Sequence, residues 1–141
     1  MRVLLDANVV VAAFTAHGLC EAVLEVCLDA HDLIMSVELL DEIGRILRRK
    51  IKIPGRTVDD IIRLLQENGD FHRPASVEAW ACRDPNDLHV LGLAKAGGAQ
   101  CIVTGDQDLL GLERFERCPI LTPRQFSDRI HGRRIRGRTG E

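Results

Sequence analysis

At 141 residues, with 45% hydrophobic, 28% charged and 4% aromatic side chains, the chain suits one globular domain able to bury a core. Tyr is absent and Trp80 is the sole Trp, which argues against a base-stacking platform; no stretch approaches the ~20 apolar residues of a membrane helix. The net charge of −2 is unevenly spread: residues 131–141 carry four Arg and one Glu, a balance of +3, leaving −5 on the rest.

Taken in chain order, Arg2–Leu5 reads as a strand ending at Asp6. The apolar run Val3–Phe14 is interrupted by Asp6 and Asn8 and is followed by no small-residue cleavage site. It therefore does not read as a signal peptide, and the cytoplasm is the expected compartment. A helix over Gly18–Ala30 leads to a second strand, Asp32–Met35. Ser36 is placed to N-cap a helix over Ser36–Lys50, and another helix follows over Thr57–Asn68. The segment Phe71–Cys82 fits either an extra strand or a loop. Asp84 and Pro85 then open a helix over Asn86–Ala96 that Gly97-Gly98 closes. Cys101–Thr104 and the short Pro119–Leu121 complete the strands, and Pro123–Ile130 is a closing helix. Strands alternating with helices predict a parallel sheet covered on both faces. The five cysteines, Cys20, Cys27, Cys82, Cys101 and Cys118, form no CxxC pair, and the five His show no HExxH spacing. A disulfide framework or zinc knuckle is thus not expected.

The acids are informative through their positions. In open α/β sheets, ligands bind beyond the carboxyl ends of the strands, where the strand order reverses. Asp6 follows the first strand, and Asp106 follows the CIVT strand after Thr104-Gly105. Each alone could be a helix cap or turn residue, but two aliphatic strands ending in acids suggest a crevice between facing carboxylates. In the Ser36–Lys50 helix, Leu39, Leu40, Ile43, Ile46 and Leu47 form an apolar stripe at ~100° per residue. Glu42 lies at its border and ranks above Asp41 and Glu38 as a candidate. Asp84 and Asp87 have the D-x-x-D spacing of a capping box. The capping role is strong for Asp84, while Asp87 remains a site candidate at a helix N-terminus facing the ligand edge.

Carboxylates gathered closely must be protonated or bridged by cations. Oxygen-only donors suit Mg²⁺ or Mn²⁺, which lower the pKa of a bound water and support phosphodiester hydrolysis. A haloacid-dehalogenase-type phosphatase fits less well, because Asn8 stands where its second Asp would be. A response-regulator receiver also fits less well, because Thr122-Pro123-Arg124 offers no Lys.

The segments VLLDANVVVAAF, SVELLDEIGRILRR, RDPNDLHVLGLAKAGGAQCIVTGDQDLLGL and PILTPRQF together resemble the PIN-domain family. The likeness is to compact prokaryotic members similar to the VapC toxins of toxin–antitoxin pairs, and it spans residues 1 to about 130. By position, Asp6, Glu42, Asp87 and Asp106 resemble the family's catalytic, metal-binding acids. Asn8 and Thr104 resemble supporting residues, and Asp108 an auxiliary acid. The family's usual D-T-N opening has Ala7 in the middle here, which removes a hydroxyl but no ligand. The resemblance implies a PIN-like, Rossmann-like three-layer α/β fold with a central parallel sheet of four to five strands, order 3-2-1-4-5. It further implies cleavage of single-stranded RNA with one or two Mg²⁺ or Mn²⁺ ions, a homodimer, and an antitoxin partner that blocks the acidic pocket. The nuclease domain is then 1–130, and 131–141 is a basic, disordered tail whose Arg133, Arg134, Arg136 and Arg138 can contact RNA. Three alternatives stand beside this reading: an RNA-binding module using that tail, a partner-docking module, and a DNA- or flap-directed nuclease.

Overall fold

The computed structural model describes the backbone of residues 1–139 and the side chains through Gly132. Its central sheet grows from the aliphatic strand β1 (Arg2–Leu5), which pairs in parallel with β2 (Asp32–Met35) on one side and β4 (Cys101–Val103) on the other. Val3, Leu4 and Leu5 are all buried, as are Leu33, Ile34, Met35, Ile102 and Val103. Such continuous apolar strands belong to a parallel sheet covered on both faces. β3 (Gly69–Phe71) extends the sheet beyond β2, and β6 (Cys118–Leu121) extends it beyond β4, both in parallel.

These five parallel strands keep the expected sequence of neighbours, but the sheet itself has six strands, in the order β3-β2-β1-β4-β6-β5. The addition is β5 (Arg114–Phe115), antiparallel to β6 in the register Arg114↔Pro119 and Phe115↔Cys118. Glu113 and Glu116 adopt φ of 62° and 54° on either side of it, folding the chain back on itself within a few residues.

Among the described residues, seven α-helices cover the sheet: α1 (Ala7–Thr15), α2 (Leu19–Ala30), α3 (Val37–Arg45), α4 (Gly55–Asn68), α5 (Leu88–Gly97), the single-turn α6 (Gln107–Leu110) and α7 (Pro123–Thr139). A wide π-type turn, Ile46–Lys50, continues α3. Where the sequence predicts a disordered tail from residue 131, the backbone remains helical to Thr139. Arg, the commonest residue there, is a good helix former. Among the described residues, no single helix is long and apolar enough to cross a membrane.

The ambiguous segment after Phe71 is a strap. It crosses the outer side of α5, where Ala75 N–H donates to the Gly92 carbonyl at 2.9 Å. A Cβ on Gly92 would stand 2.2 Å from the Ala75 carbonyl oxygen, so only glycine permits this approach. After a 3₁₀ turn at Ala79–Ala81, the strap ends with Cys82 buried. Gly98, at φ +63°, caps α5 in the left-handed conformation.

Candidate active site

The strand order reverses between β1 and β4, and the register Leu5↔Val103 brings their carboxyl ends level. Asp6 N–H donates to the Val103 carbonyl at 2.9 Å, so Asp6 and Thr104 are neighbours at the switch point. Thr104 is fully buried, and its hydroxyl donates to Asp6 Oδ2 at 2.7 Å while accepting Asp106 N–H at 3.0 Å. Asp106 Oδ1 in turn accepts Asp108 N–H at 2.8 Å. One hydroxyl thus ties the acid after β1 to the acid after β4. Asp6 also caps α1 by accepting Ala7 N–H at 2.8 Å, so the capping and site roles coincide in one side chain.

The remaining acids come from two helix starts. α3 begins where Ser36 Oγ accepts Leu39 N–H at 3.0 Å, and two turns of helix place Glu42 half-buried at the cleft. Asp87 sits in the 3₁₀ turn Pro85–Asp87 that leads into α5 and is only 6% exposed. Asp6, Glu42, Asn86, Asp87, Arg45 and His89 lie around an open cleft of about 510 Å³.

On its other side, Asp87 meets Asp84 and Asp108, and one carboxylate oxygen from each of the three lies within 4.8 Å of the others. Asp87 is therefore the shared corner of two acidic groups. Burial, followed by the charge of Asp106 and the further acids Asp84 and Asp6, pushes its carboxyl up to about 7. Burial also raises Asp6, opposed by the Thr104 and Ala7 hydrogen bonds and reinforced by Asp106. Glu42 is raised by burial and then by Asp6, with Arg45 and His89 acting in the opposite sense.

The sequence-predicted residues thus fall into distinct places. Asp6, Glu42 and Asp87 border the cleft, Asp106 couples to Asp6 and Asp87, and Asp108 joins the close acidic triple. Asn8 is exposed on α1 and makes no side-chain hydrogen bond among the described residues. The side chains of Arg133, Arg134, Arg136 and Arg138 lie outside the described residues. Asp84 is the residue that sequence reasoning passed over. Its Oδ1 accepts Asn86 N–H at 3.0 Å as a cap, the role its D-x-x-D spacing announces, yet it also stands in the triple, which that spacing does not. Arg45 and His89 were missed as well; each lies within one helical turn of a predicted acid.

The donor set fits a hard divalent cation: oxygen ligands only, in a cluster whose mutual repulsion a cation would relieve. Cys82 Sγ lies 3.9 Å from Asp87 Oδ2, but burial pushes this thiol up. It remains a weak donor beneath the carboxylate rather than a thiolate ligand.

A mostly parallel sheet between helical layers, with an acidic, cation-competent cluster at its switch point, defines an α/β protein whose ligand site lies beyond the strands' carboxyl ends. The PIN domain family model matches residues 2–108, most of the chain, and the protein belongs to the PIN domain family. Among solved structures, it is similar to a chain in the crystal structure of VapBC2 from Rickettsia felis bound to a DNA fragment from their promoter. That similarity has a TM-score of 0.59 at 15% identity and covers 85% of this chain and 97% of the other. No curated protein matches the sequence.

Proposed function

We propose that this PIN domain is a metal-dependent endoribonuclease that hydrolyses phosphodiester bonds of single-stranded RNA, working in the cytoplasm as the toxin of a toxin–antitoxin pair. The observation that carries this reading is the placement of Asp87 as the shared corner of two carboxylate groups, its acid raised to about 7. A carboxyl so placed favours a bound proton or a bound cation over a bare charge.

Asp84, Asp87 and Asp108 would hold a divalent ion, with Asp6 and Asp106 as ligands on the β1–β4 side; the set leaves room for one or two ions. Mg²⁺ or Mn²⁺ supplies, when bound, an acidified water and a counter-charge for the phosphodiester. Thr104 Oγ1 and Ala7 N–H each hold one oxygen of Asp6, Oδ2 and Oδ1, and so fix the orientation of its carboxylate. Glu42, raised by burial and by Asp6, is suited to take a proton on its carboxylate oxygen from the attacking water or to orient that water. The antitoxin partner and the homodimer belong to the same proposal. The VapBC2 complex supports the first by likeness of fold.

The test incubates defined single-stranded RNA with the parent protein and with Asp6→Asn, with Mn²⁺ and with EDTA. Cleavage is expected from the parent with Mn²⁺ alone. Equal cutting by equally folded Asp6→Asn would remove the metal assignment, and no cutting by the parent would remove the nuclease reading.

A further inference from the structure

The cleft at Asp6, Glu42 and Asp87 is lined by further acids on α3, Glu38 and Asp41. An anion entering it meets a negative field, so something on the wall has to favour a phosphate. The lining's two basic side chains can do so, Arg45 and His89, which border the cleft from α3 and α5.

Arg45 lies three residues after Glu42, on neighbouring helical positions. Arg2, Arg48 and Lys95 are each paired with a carboxylate, whereas Arg45 forms no ion pair or hydrogen bond among the described residues. Its planar guanidinium is free to meet a phosphate in bidentate fashion.

His89 is oriented by Ser36. The Ser36 hydroxyl oxygen is fully buried and already accepts Leu39 N–H, so its own proton needs an acceptor. His89 Nε2, 3.1 Å away, is its side-chain partner among the described residues and as an unprotonated ring nitrogen accepts that proton. In the uncharged ring the proton then resides on Nδ1, where it is available as a donor to the cleft. The same contact anchors the start of α3 to the first turn of α5.

We propose that Arg45 and His89 Nδ1–H form an anion half-site on the α3–α5 wall, which holds a phosphodiester of single-stranded RNA against the carboxylates. The proposal deepens the nuclease reading and rests on it for the identity of the ligand.

Two substitutions separate the roles of the ring. His89→Gln keeps a polar atom near the Nε2 position, for Ser36, and loses the Nδ1 donor. His89→Asn keeps a donor near Nδ1 and loses the Ser36 contact. Binding of a labelled single-stranded oligoribonucleotide is followed by anisotropy in the Asp6→Asn background with Mn²⁺ present, across a salt series. Arg45→Gln is expected to weaken binding about tenfold and to flatten the log–log salt dependence by about 0.7. His89→Gln should weaken it about tenfold, while His89→Asn binds like its background protein but melts at lower temperature. Binding unchanged by Arg45→Gln, or kept by His89→Gln and lost in His89→Asn, would overturn the half-site and leave His89 as a strut alone. Cleavage by the parent is scored separately. If the parent cuts no RNA but the expected binding pattern appears, the nuclease reading fails and the half-site stands.

Discussion

Asp87→Asn should stabilise the metal-free protein at alkaline pH, although it removes a group placed at the centre of the site. On folding, the Asp87 carboxyl passes from an ordinary 3.8 to about 7, so between those values the folded chain binds a proton that the unfolded chain releases. At about 1.36 kcal/mol per pH unit, the full span is worth about 4 kcal/mol. Water in the open cleft screens the neighbouring charges, and we expect about half of this, roughly 2 kcal/mol. The sign follows from proton counting. With a raised folded pKa, the parent loses stability relative to the variant as pH rises from about 4 to 7, and the difference is level above that. Asn mimics the protonated acid in size and as a donor toward Asp106, so it does not take part in the loss.

Thermal unfolding in EDTA from pH 4.5 to 8.5 measures this difference. Asp87→Asn should melt about 6 °C above the parent at pH 8, with the gap closing toward pH 4.5. Saturating Mn²⁺ should reverse the order. An ion at a hundred times its Kd stabilises the parent by about 2.7 kcal/mol, and the variant should respond weakly. Parallel pH profiles for the two proteins, or a variant less stable at pH 8 in EDTA, would refute the argument that crowded carboxylates strain the apo fold.

Three further substitutions probe the scaffold. Thr104→Val leaves Asp6 Oδ2 and Asp106 N–H without their shared hydroxyl partner, and should cost about 1–3 kcal/mol in urea unfolding while raising the Asp6 acid further. Leu4→Ala, in the middle of β1, should cost about 2–5 kcal/mol by cavity formation, with any Mn²⁺ response retained at temperatures where the protein stays folded. Gly92→Ala forces a Cβ toward the Ala75 carbonyl oxygen, 2.2 Å away. It should release the strap, read as new protease cutting between residues 72 and 82, and lower the Asp87 acid toward 3.8 by letting water reach it.

The strands that organise the site were legible because their side chains leave little choice. Arg2–Leu5 and Asp32–Met35 are runs of aliphatics bounded by polar residues, and the structure gives them the same limits. β3 was not legible. Its sequence, Gly-Asp-Phe, has poor strand propensity, and it pairs only because the β2 edge is open to it. At Gly69 a Cβ would meet the Leu65 carbonyl oxygen at 2.8 Å, a close approach invisible to local pattern. β5 spans two residues and depends on tight turns at Glu113 and Glu116, conformations that glutamate composition does not announce. Among the acids, Asp6 and Asp106 could be read from strand ends alone. Asp84 could not, since a cap and a ligand present the same residue at the same spacing, and only the three-dimensional meeting with Asp108 separates them.

The link from fold to chemistry runs through one glycine. Gly92 lets the strap lie against α5, and that path delivers Cys82 beneath Asp87. Burial is the largest cause of the raised Asp87 acid, ahead of the charge of Asp106. A residue with no side chain, five positions along from the acid, thus seats the segment whose Cys82 lies 3.9 Å from the Asp87 carboxylate. Burial and the charge of Asp106 together make the carboxyl prefer a proton or a cation to a bare charge. Charge repulsion alone would make the cluster hold a cation only loosely, because water would screen it. Asp87 is the buried acid at the corner where its two acidic groups meet, and the strap's Cys82 lies against it, so the scaffold and the site meet there.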